Sequence, residues 1–438
     1  MRSIEGRSRN PEPNEPSRPV GSGSLDFARD DTGKNAKPRY ETIALVSEPL
    51  LTRRFVALWI FQCATFFSLF QLLPVIPIRI VELGGNKATA GLFLFCYTLA
   101  SALAAPIMGS IADRAGRRAM LVACSLLFVV FSLAYGLAPW LPVVLVIAVV
   151  HGALWSGILS AAGAIMTEFI PASRRTEGLA YWGLAPTAAI AIAPAVGMWI
   201  YRFFGWFAVC AEIAVLSVIT AMWASRLPGG ERRQSGPGGR KLELWDWRVV
   251  HAALSLGVVA FGYGGITSHV ALLSRERGIH PESLFFTVFA IATVLIRLFT
   301  ARLGDRFGPK VLLYPSFVAM PLAFFVLARS SDRLGMIAAA ALFGAGLGAS
   351  FPAFMTFIVG NTGEEQRART FGSVILAFDT GIGVGSITIG AIASRIGFDA
   401  AFTIAAVIAC LSIPIFLATS RRLIRGTAVA ENAEHART

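Results

Sequence analysis

The sequence predicts an all-α membrane protein, with twelve transmembrane helices arranged as two pseudo-symmetric six-helix bundles. Three observations carry that expectation. The 438-residue chain is 55% hydrophobic and only 15% charged, with a mean hydropathy of +0.64, more apolar surface than a water-soluble fold of this size can bury. A short acidic-basic-glycine loop between two apolar runs occurs twice, with its aspartates, Asp113 and Asp305, 192 residues apart, close to half the chain. Basic residues also concentrate in alternate loops.

A bilayer crossing needs about 20 mostly apolar residues, and runs of that kind fill most of the chain from Phe55 to Ala418. Hydropathy places spans one to six near 55–81, 88–111, 119–138, 141–168, 176–201 and 205–225. Spans seven to twelve fall near 249–272, 283–302, 311–328, 334–359, 371–393 and 398–418. The domain plan is therefore a tail over 1–50, a first bundle over 51–226, a linker over 227–247, a second bundle over 248–420 and a tail over 421–438. Met1 to Pro38 is rich in Arg, Pro, Gly, Ser and acids, a composition that does not offset the entropy of folding, so disorder is expected there. No basic-then-apolar head of a cleaved signal opens it. The linker carries Pro-Gly-Gly and Glu-Arg-Arg and reads as a flexible cytoplasmic connection.

A net charge of +13 would suggest nucleic acid in a soluble protein. Here its location gives a better account. Arg114, Arg117 and Arg118 follow span two, Arg174 and Arg175 follow span four, and Arg232, Arg233, Arg240 and Lys241 occupy the linker. Arg302, Arg306 and Lys310 follow span eight, Arg367 and Arg369 follow span ten, and Arg421, Arg422 and Arg425 follow the last. The alternate loops hold fewer: Lys87, Arg202, Arg275 and Arg277, Arg329 and Arg333, and Arg395. By the positive-inside rule both termini are cytoplasmic, and the number of crossings is even. Cys63, Cys96, Cys124, Cys210 and Cys410 lie scattered in apolar spans, with no spacing that suits a metal or a disulfide.

The loop Gly109-Ser110-Ile111-Ala112-Asp113-Arg114-Ala115-Gly116-Arg117-Arg118 and its copy Ala301-Arg302-Leu303-Gly304-Asp305-Arg306-Phe307-Gly308-Pro309-Lys310 resemble the hallmark of the major facilitator superfamily. Further matches are Ile170 to Gly178 running into Tyr181-Trp182-Gly183, the segment Gly346 to Ala353, and Ala377-Phe378-Asp379-Thr380-Gly381-Ile382-Gly383-Val384-Gly385. Together they look like its bacterial efflux branch of drug–proton antiporters. An internal repeat supports this independently, since Gly178 and Gly372 enter spans five and eleven 194 residues apart. Parallel halves of this kind place the substrate near the midplane between them and rock about it.

The resemblance implies a function for the loops. Asp113 would latch onto the start of span eleven and Asp305 onto the start of span five, with Glu168, Arg117, Arg174 and Arg175 extending a charge network. A helix N-terminus carries unsatisfied N–H groups and partial positive charge, which suits a short anion. Gly109 would allow close helix approach. Such contacts hold only when the cytoplasmic side is shut, so they bias the outward-open state. The second loop departs from the pattern: Ala301 replaces a glycine, and Pro309 interrupts the basic pair.

Ionisable groups within spans are costly and default to functional candidates. Asp379 lies twelve residues into span eleven, hence ~18 Å deep at 1.5 Å per residue, and could take up a proton on one side and release it on the other. Arg297 lies ~12 Å inside span eight and is the expected partner of Asp379; alternatively it binds a substrate carboxylate. The matching offsets in the first half hold Ala105 and Ala185, so the halves diverge here. His151 in span four titrates near physiological pH or is simply satisfied by one hydrogen bond. The efflux pattern often has an arginine three positions earlier, where this chain has Ala148. Pro194 with Gly197 is a reduced form of the antiporter signature, with Ala193 where a glycine is usual, or a plain helix kink. Glu212 falls on peripheral span six, and His269 and Arg275 lie near the outer end of span seven, facing water.

By the same resemblance spans one, four, seven and ten wall the cavity, which nominates Gln62, Phe66, Gln71, Trp155, Tyr263, Phe351 and Phe354 for a partly apolar solute. The expectation is a secondary active transporter of the bacterial inner membrane, moving a small organic molecule out against proton entry as a monomer, without cofactor or metal. Proton symport for uptake is the alternative. An integral-membrane enzyme finds no nucleophile beside a base, and a sensor finds no room in the tail or linker for a signalling domain.

Overall fold

The computed structural model describes residues 49–171, 174, 178, 181–227, 246–362 and 367–421; the expected N-terminal tail and most of the central linker lie outside them. The described residues form eleven helices: α1 (Arg53–Glu82), α2 (Lys87–Ala115), α3 (Arg117–Leu137), α4 (Leu141–Phe169), α5 (Leu184–Phe204), α6 (Trp206–Ser225), α7 (Trp247–Glu276), α8 (Leu284–Phe307), α9 (Lys310–Arg329), α10 (Arg333–Val359) and α11 (Arg367–Cys410). Ten described stretches are long and apolar enough to cross a bilayer, the longest being Gly372–Arg421 at 50 residues. At 1.5 Å per residue that stretch is about 75 Å long, more than twice the hydrocarbon thickness. It is broken at Gly397, whose φ of 87° leaves the helical region, and so makes two crossings. With the shorter apolar Leu284–Thr300 of α8 the total reaches the expected twelve.

Local chemistry sets the helix ends. Thr52 opens α1 by accepting the Phe55 N–H at 3.2 Å. At α2, Asn86 and Thr89 cap each other reciprocally, at 3.0 and 2.7 Å. Asp246 and Asp332 cap α7 and α10. The two hallmark loops turn through Gly116 (φ 99°) and Gly308 (φ 81°), left-handed positions that glycine occupies at no steric cost. This is the firmest physical trace of the duplication.

Two hydrophobic cores are built, one mainly from α1–α6 and one mainly from α7–α11. Tyr263 and Phe378 pack against both. α3 and α6 pair on one flank and α9 lies beside the last crossing on the other. Their outward aliphatic faces, including Leu126, Val130, Val215, Ile219, Val318 and Leu322, are exposed and suit lipid. Between the halves, α2 meets α11 and α5 meets α8.

Glycine decides how closely α11 is held. A Cβ at Gly385 would lie 1.8 Å from the Phe261 carbonyl oxygen, at Gly264 1.9 Å from that of Ile382, and at Gly381 2.2 Å from that of Gly257. The same holds between halves: a Cβ at Gly91 would sit 2.2 Å from the Ser386 carbonyl oxygen, and one at Gly390 2.3 Å from that of Lys87. Gly109, expected to permit close approach, does not need to. Its added Cβ would meet only Ser160 Oγ, at 4.0 Å, because α2 crosses α4 closely further out, at Gly152 against Tyr97.

Overpacking a tight contact costs about 1–3 kcal/mol, and here the obstacle is backbone that cannot rotate away. Gly385→Leu is therefore expected to lower the melting temperature of the detergent-purified protein by several degrees and to cut its monodisperse yield. Gly163→Leu, where nothing lies within 4 Å, is expected to leave both unchanged. Equal behaviour of the two variants in a thermal-shift and gel-filtration comparison would refute the close-packed seam.

Candidate transport site and gates

The seam carries its polar groups in two layers, one near mid-depth and one at the outer surface. At mid-depth, His151 of α4 is buried inside a cage of aromatic rings. Phe128 lies edge-on at 4.5 Å, Tyr97 at 5.1 Å and Tyr135 at 5.9 Å between centroids. Its Nδ1 is 3.5 Å from the Tyr135 hydroxyl. One turn on, Trp155 meets Phe66 at 4.9 Å and Tyr97 at 6.5 Å. A small cavity of about 10 Å³ borders Thr65, Ser132, Tyr135, His151 and Trp155, space for a single water.

From the other half, Asp379 enters on α11. Its neighbour Phe378 packs on Phe351 at 5.2 Å and Tyr263 at 6.3 Å. The ring of Tyr97 packs edge-on against His151. Its hydroxyl is buried and has no hydrogen-bond partner. The structure thus gathers Phe66, Trp155 and His151 on one side and Tyr263, Phe351 and Asp379 on the other.

Other expectations need correction. Arg297 does not pair with Asp379. Its guanidinium donates to Thr187 Oγ1 at 2.7 Å, to the Gly183 carbonyl at 3.2 Å and to the Gly348 carbonyl at 3.3 Å, because α8 packs on α5 and α10 while α11 packs on α7 and α2. Depth along two helices matches, but their facing directions do not. Phe354 is fully buried against Phe416, so it is core rather than cavity wall. Gln71 is likewise wholly buried, and Glu212 of α6 turns inward against it. Gln62 is buried with its Oε1 unpartnered. Gly197 below Pro194 serves packing, since a Cβ there would lie 2.6 Å from the Gln71 carbonyl oxygen.

At the first hallmark loop, Arg117 donates to Asp113 at 3.1 Å and also pairs with Glu168, contacts that lie within the first half. Arg114 and Arg118 are exposed, and Arg174 donates its backbone N–H to the Pro171 carbonyl at 3.0 Å. In the second copy Arg306 lies over Phe307 and Lys310 over Phe357. Arg175 and the side-chain surroundings of Gly304 and Asp305 lie outside the described residues.

The outer layer was missed from sequence. Lys87, at the start of α2, forms an ion pair with Glu276 of α7 at 2.6 Å and lies 4.2 Å from the Phe398 ring centroid. Its carbonyl meets Nε2 of His269 at 2.9 Å, and the next N–H, of Ala88, donates to Ser394 Oγ at 3.1 Å. Ser386 Oγ donates to the Gly91 carbonyl at 2.8 Å. His269 is thus fully buried as a bridge, not water-facing. These contacts join the two halves at the end of α2 opposite its hallmark loop. The available signal was a lone lysine in an outer loop, where the charge rule disfavours one.

The chain matches the family model described as Major Facilitator Superfamily twice, over residues 58–285 and 252–435. It is similar to the Multidrug resistance protein MdtG of Escherichia coli K12, with 26% identity over 380 residues, covering 81% of this chain and 91% of the relative. Among solved structures it resembles a POT family transporter in complex with 5-aminolevulinic acid, with TM-score 0.70 and 12% identity over 85% of this chain and 96% of that one. It also resembles the nucleoside transporter NupG, with TM-score 0.67 and 14% identity over 84% and 99%.

A part-exposed ion pair is worth about 0.2–1 kcal/mol, so its loss shifts a two-state balance by at most about fivefold. Lys87→Met and Glu276→Gln are each expected to raise the labelling rate of a cysteine placed at Ser394 by an impermeant maleimide added outside, within that range. An unchanged rate in both would remove the ion pair from the outer gate.

Proposed function

The chain belongs to the Major Facilitator Superfamily, a family of transporters rather than enzymes, and from that premise we propose that it exports a small organic solute across a bacterial inner membrane in exchange for protons. One observation carries the coupling assignment: Asp379 sits on α11, the helix that glycines bring to backbone contact with α2 across the two halves. A carboxyl group there that gains or loses a proton changes the electrostatics of the seam itself, so protonation and rocking become linked. The aromatic walls formed by Phe66 and Trp155 on one side and Tyr263 and Phe351 on the other suit a partly apolar solute. The direction of transport is supported by the likeness to a protein named for multidrug resistance.

In this reading the monomer cycles between two gated states. The loop residues Gly109, Asp113, Arg117 and Glu168, with Gly304, Asp305, Arg306 and Lys310 of the second copy, govern the inner side. Lys87, Glu276 and His269 govern the outer. Arg297 acts as a tie between the halves.

Expression in a strain lacking its own exporters, screened for tolerance to a compound panel, identifies a substrate. Proteoliposomes containing a pH-sensitive dye are then expected to show proton movement opposite to that substrate. Asp379→Asn is expected to abolish gradient-driven transport while leaving substrate exchange without a gradient. Proton movement in the same direction as substrate would replace export with symport, and full gradient-driven transport by the asparagine variant would remove Asp379 from the coupling role.

A further inference from the structure

Outside the closed gate lies a second cavity, of about 530 Å³, within the range that holds small organic ligands. Both halves line it. Arg79 and Glu82 end α1, Tyr201, Arg202 and Trp206 come from the α5–α6 turn, and Arg275, His280 and Glu282 come from the end of α7 and the loop after it.

The carboxylates in this vestibule are already engaged. Glu82 accepts the Tyr201 hydroxyl and lies 3.5 Å from Arg79, and Glu282 lies 3.3 Å from His280 Nδ1. The side chains of Arg202 and Arg275, among the described residues, form no hydrogen bond or ion pair, and the Arg79 Nε is buried without a partner. Three guanidiniums against two carboxylates leave surplus positive charge in one open mouth.

That surplus sits on the side of the membrane where the charge rule depletes cations. Two of the other outer cations have structural duties: Lys87 holds the gate, and Arg277 donates to the Leu327 and Ala328 carbonyls at 2.9 Å and pairs with Asp399 at 2.5 Å. Arg202 and Arg275 have none, yet they converge on one cavity. Guanidinium presents a planar fork of donors that matches an oxyanion bidentately, and Trp206 supplies an apolar wall beside it.

We propose that this outer vestibule is an anion site, where Arg202 and Arg275 grip the carboxylate or phosphate of a small organic molecule while the outer gate is shut. The assignment rests on the cavity and its charges, not on the direction or proton coupling of transport. Binding is therefore measured without any gradient, and its failure would leave the proposed export untouched.

The test uses the full-length protein in lipid-free detergent, with citrate as probe and sodium chloride of equal ionic strength as control. Citrate is expected to raise the melting temperature of the parent. The Arg202→Gln/Arg275→Gln double variant is expected to bind citrate about tenfold more weakly or worse. Glu282→Gln, which removes an opposing charge, is expected to bind it more tightly, and this arm still decides the matter if the double variant does not fold. Arg333→Gln, on another outer turn, controls for charge number and is expected to behave as the parent. A second arm uses nanodiscs of phosphatidylglycerol against phosphatidylcholine. Stabilisation by phosphatidylglycerol alone, lost in the double variant, supports the site with a lipid headgroup as its source. Equal responses of parent, double variant and Glu282→Gln to both probes overturn it.

Discussion

The architecture depends on how closely the backbone of α11 can approach its neighbours. Inside a bilayer no hydrophobic force draws helices together, so association rests on packing and on the few polar contacts available. Gly257, Gly264, Gly381 and Gly385 bring α7 and α11 to backbone contact within one half, and Gly91 and Gly390 do the same between α11 and α2 across the halves. A helix pressed this tightly to α7 moves with it as one body. The contact with α2, by contrast, is one that a rocking motion must make and break. Small residues suit that task, because they let a flat surface part without withdrawing side chains from holes.

Asp379 rides on this helix, between residues that seal the outer seam and the cytoplasmic start of α11. The outer polar contacts, from Lys87 to Glu276 and from His269 to the Lys87 carbonyl, add register to a seam that packing alone would leave free to slide. Each is individually modest, as part-exposed ion pairs are. Modesty is a requirement here. A transporter whose closed state were favoured by many kcal/mol would cycle slowly, since each gate must reopen with the energy of one substrate and its coupling ion.

The twelve crossings were legible in the sequence because hydropathy over twenty residues is a property of the segment, not of its surroundings. The repeated loop was legible because Gly116 and Gly308 turn the chain through a conformation that few other residues tolerate. Asp379 was legible through the cost of a carboxylate in an apolar run. What failed were the inferences for Arg297 and Phe354 that needed a direction around the helix axis. These spans are apolar on all sides, so position along the chain gave the depth of Arg297 and Phe354 but not which neighbour each one faces. Gly109 was assigned a packing role from its motif, while the contacts that need glycine lie at Gly91 and Gly152. Lys87 was counted only as a stray outer charge.

Arg297 shows how the two seams between halves differ in kind. By the repeat, the pairing of α5 with α8 is the counterpart of that of α11 with α2. The α11–α2 seam closes by glycine and backbone contact, whereas the α5–α8 seam is bridged by a guanidinium reaching from Arg297 to Thr187 Oγ1 and the Gly183 carbonyl. A hydrogen bond from a charged donor is worth about 1.5–3 kcal/mol, but it can be exchanged for a neighbouring acceptor as the helices shift. A packed contact is lost once a gap opens. The α11–α2 seam is therefore suited to gating, opening or sealing as a unit. The α5–α8 seam is suited to staying connected through the motion, with Arg297 as its sliding tether. The first half carries alanine at the corresponding position, Ala105, and so has no such tether.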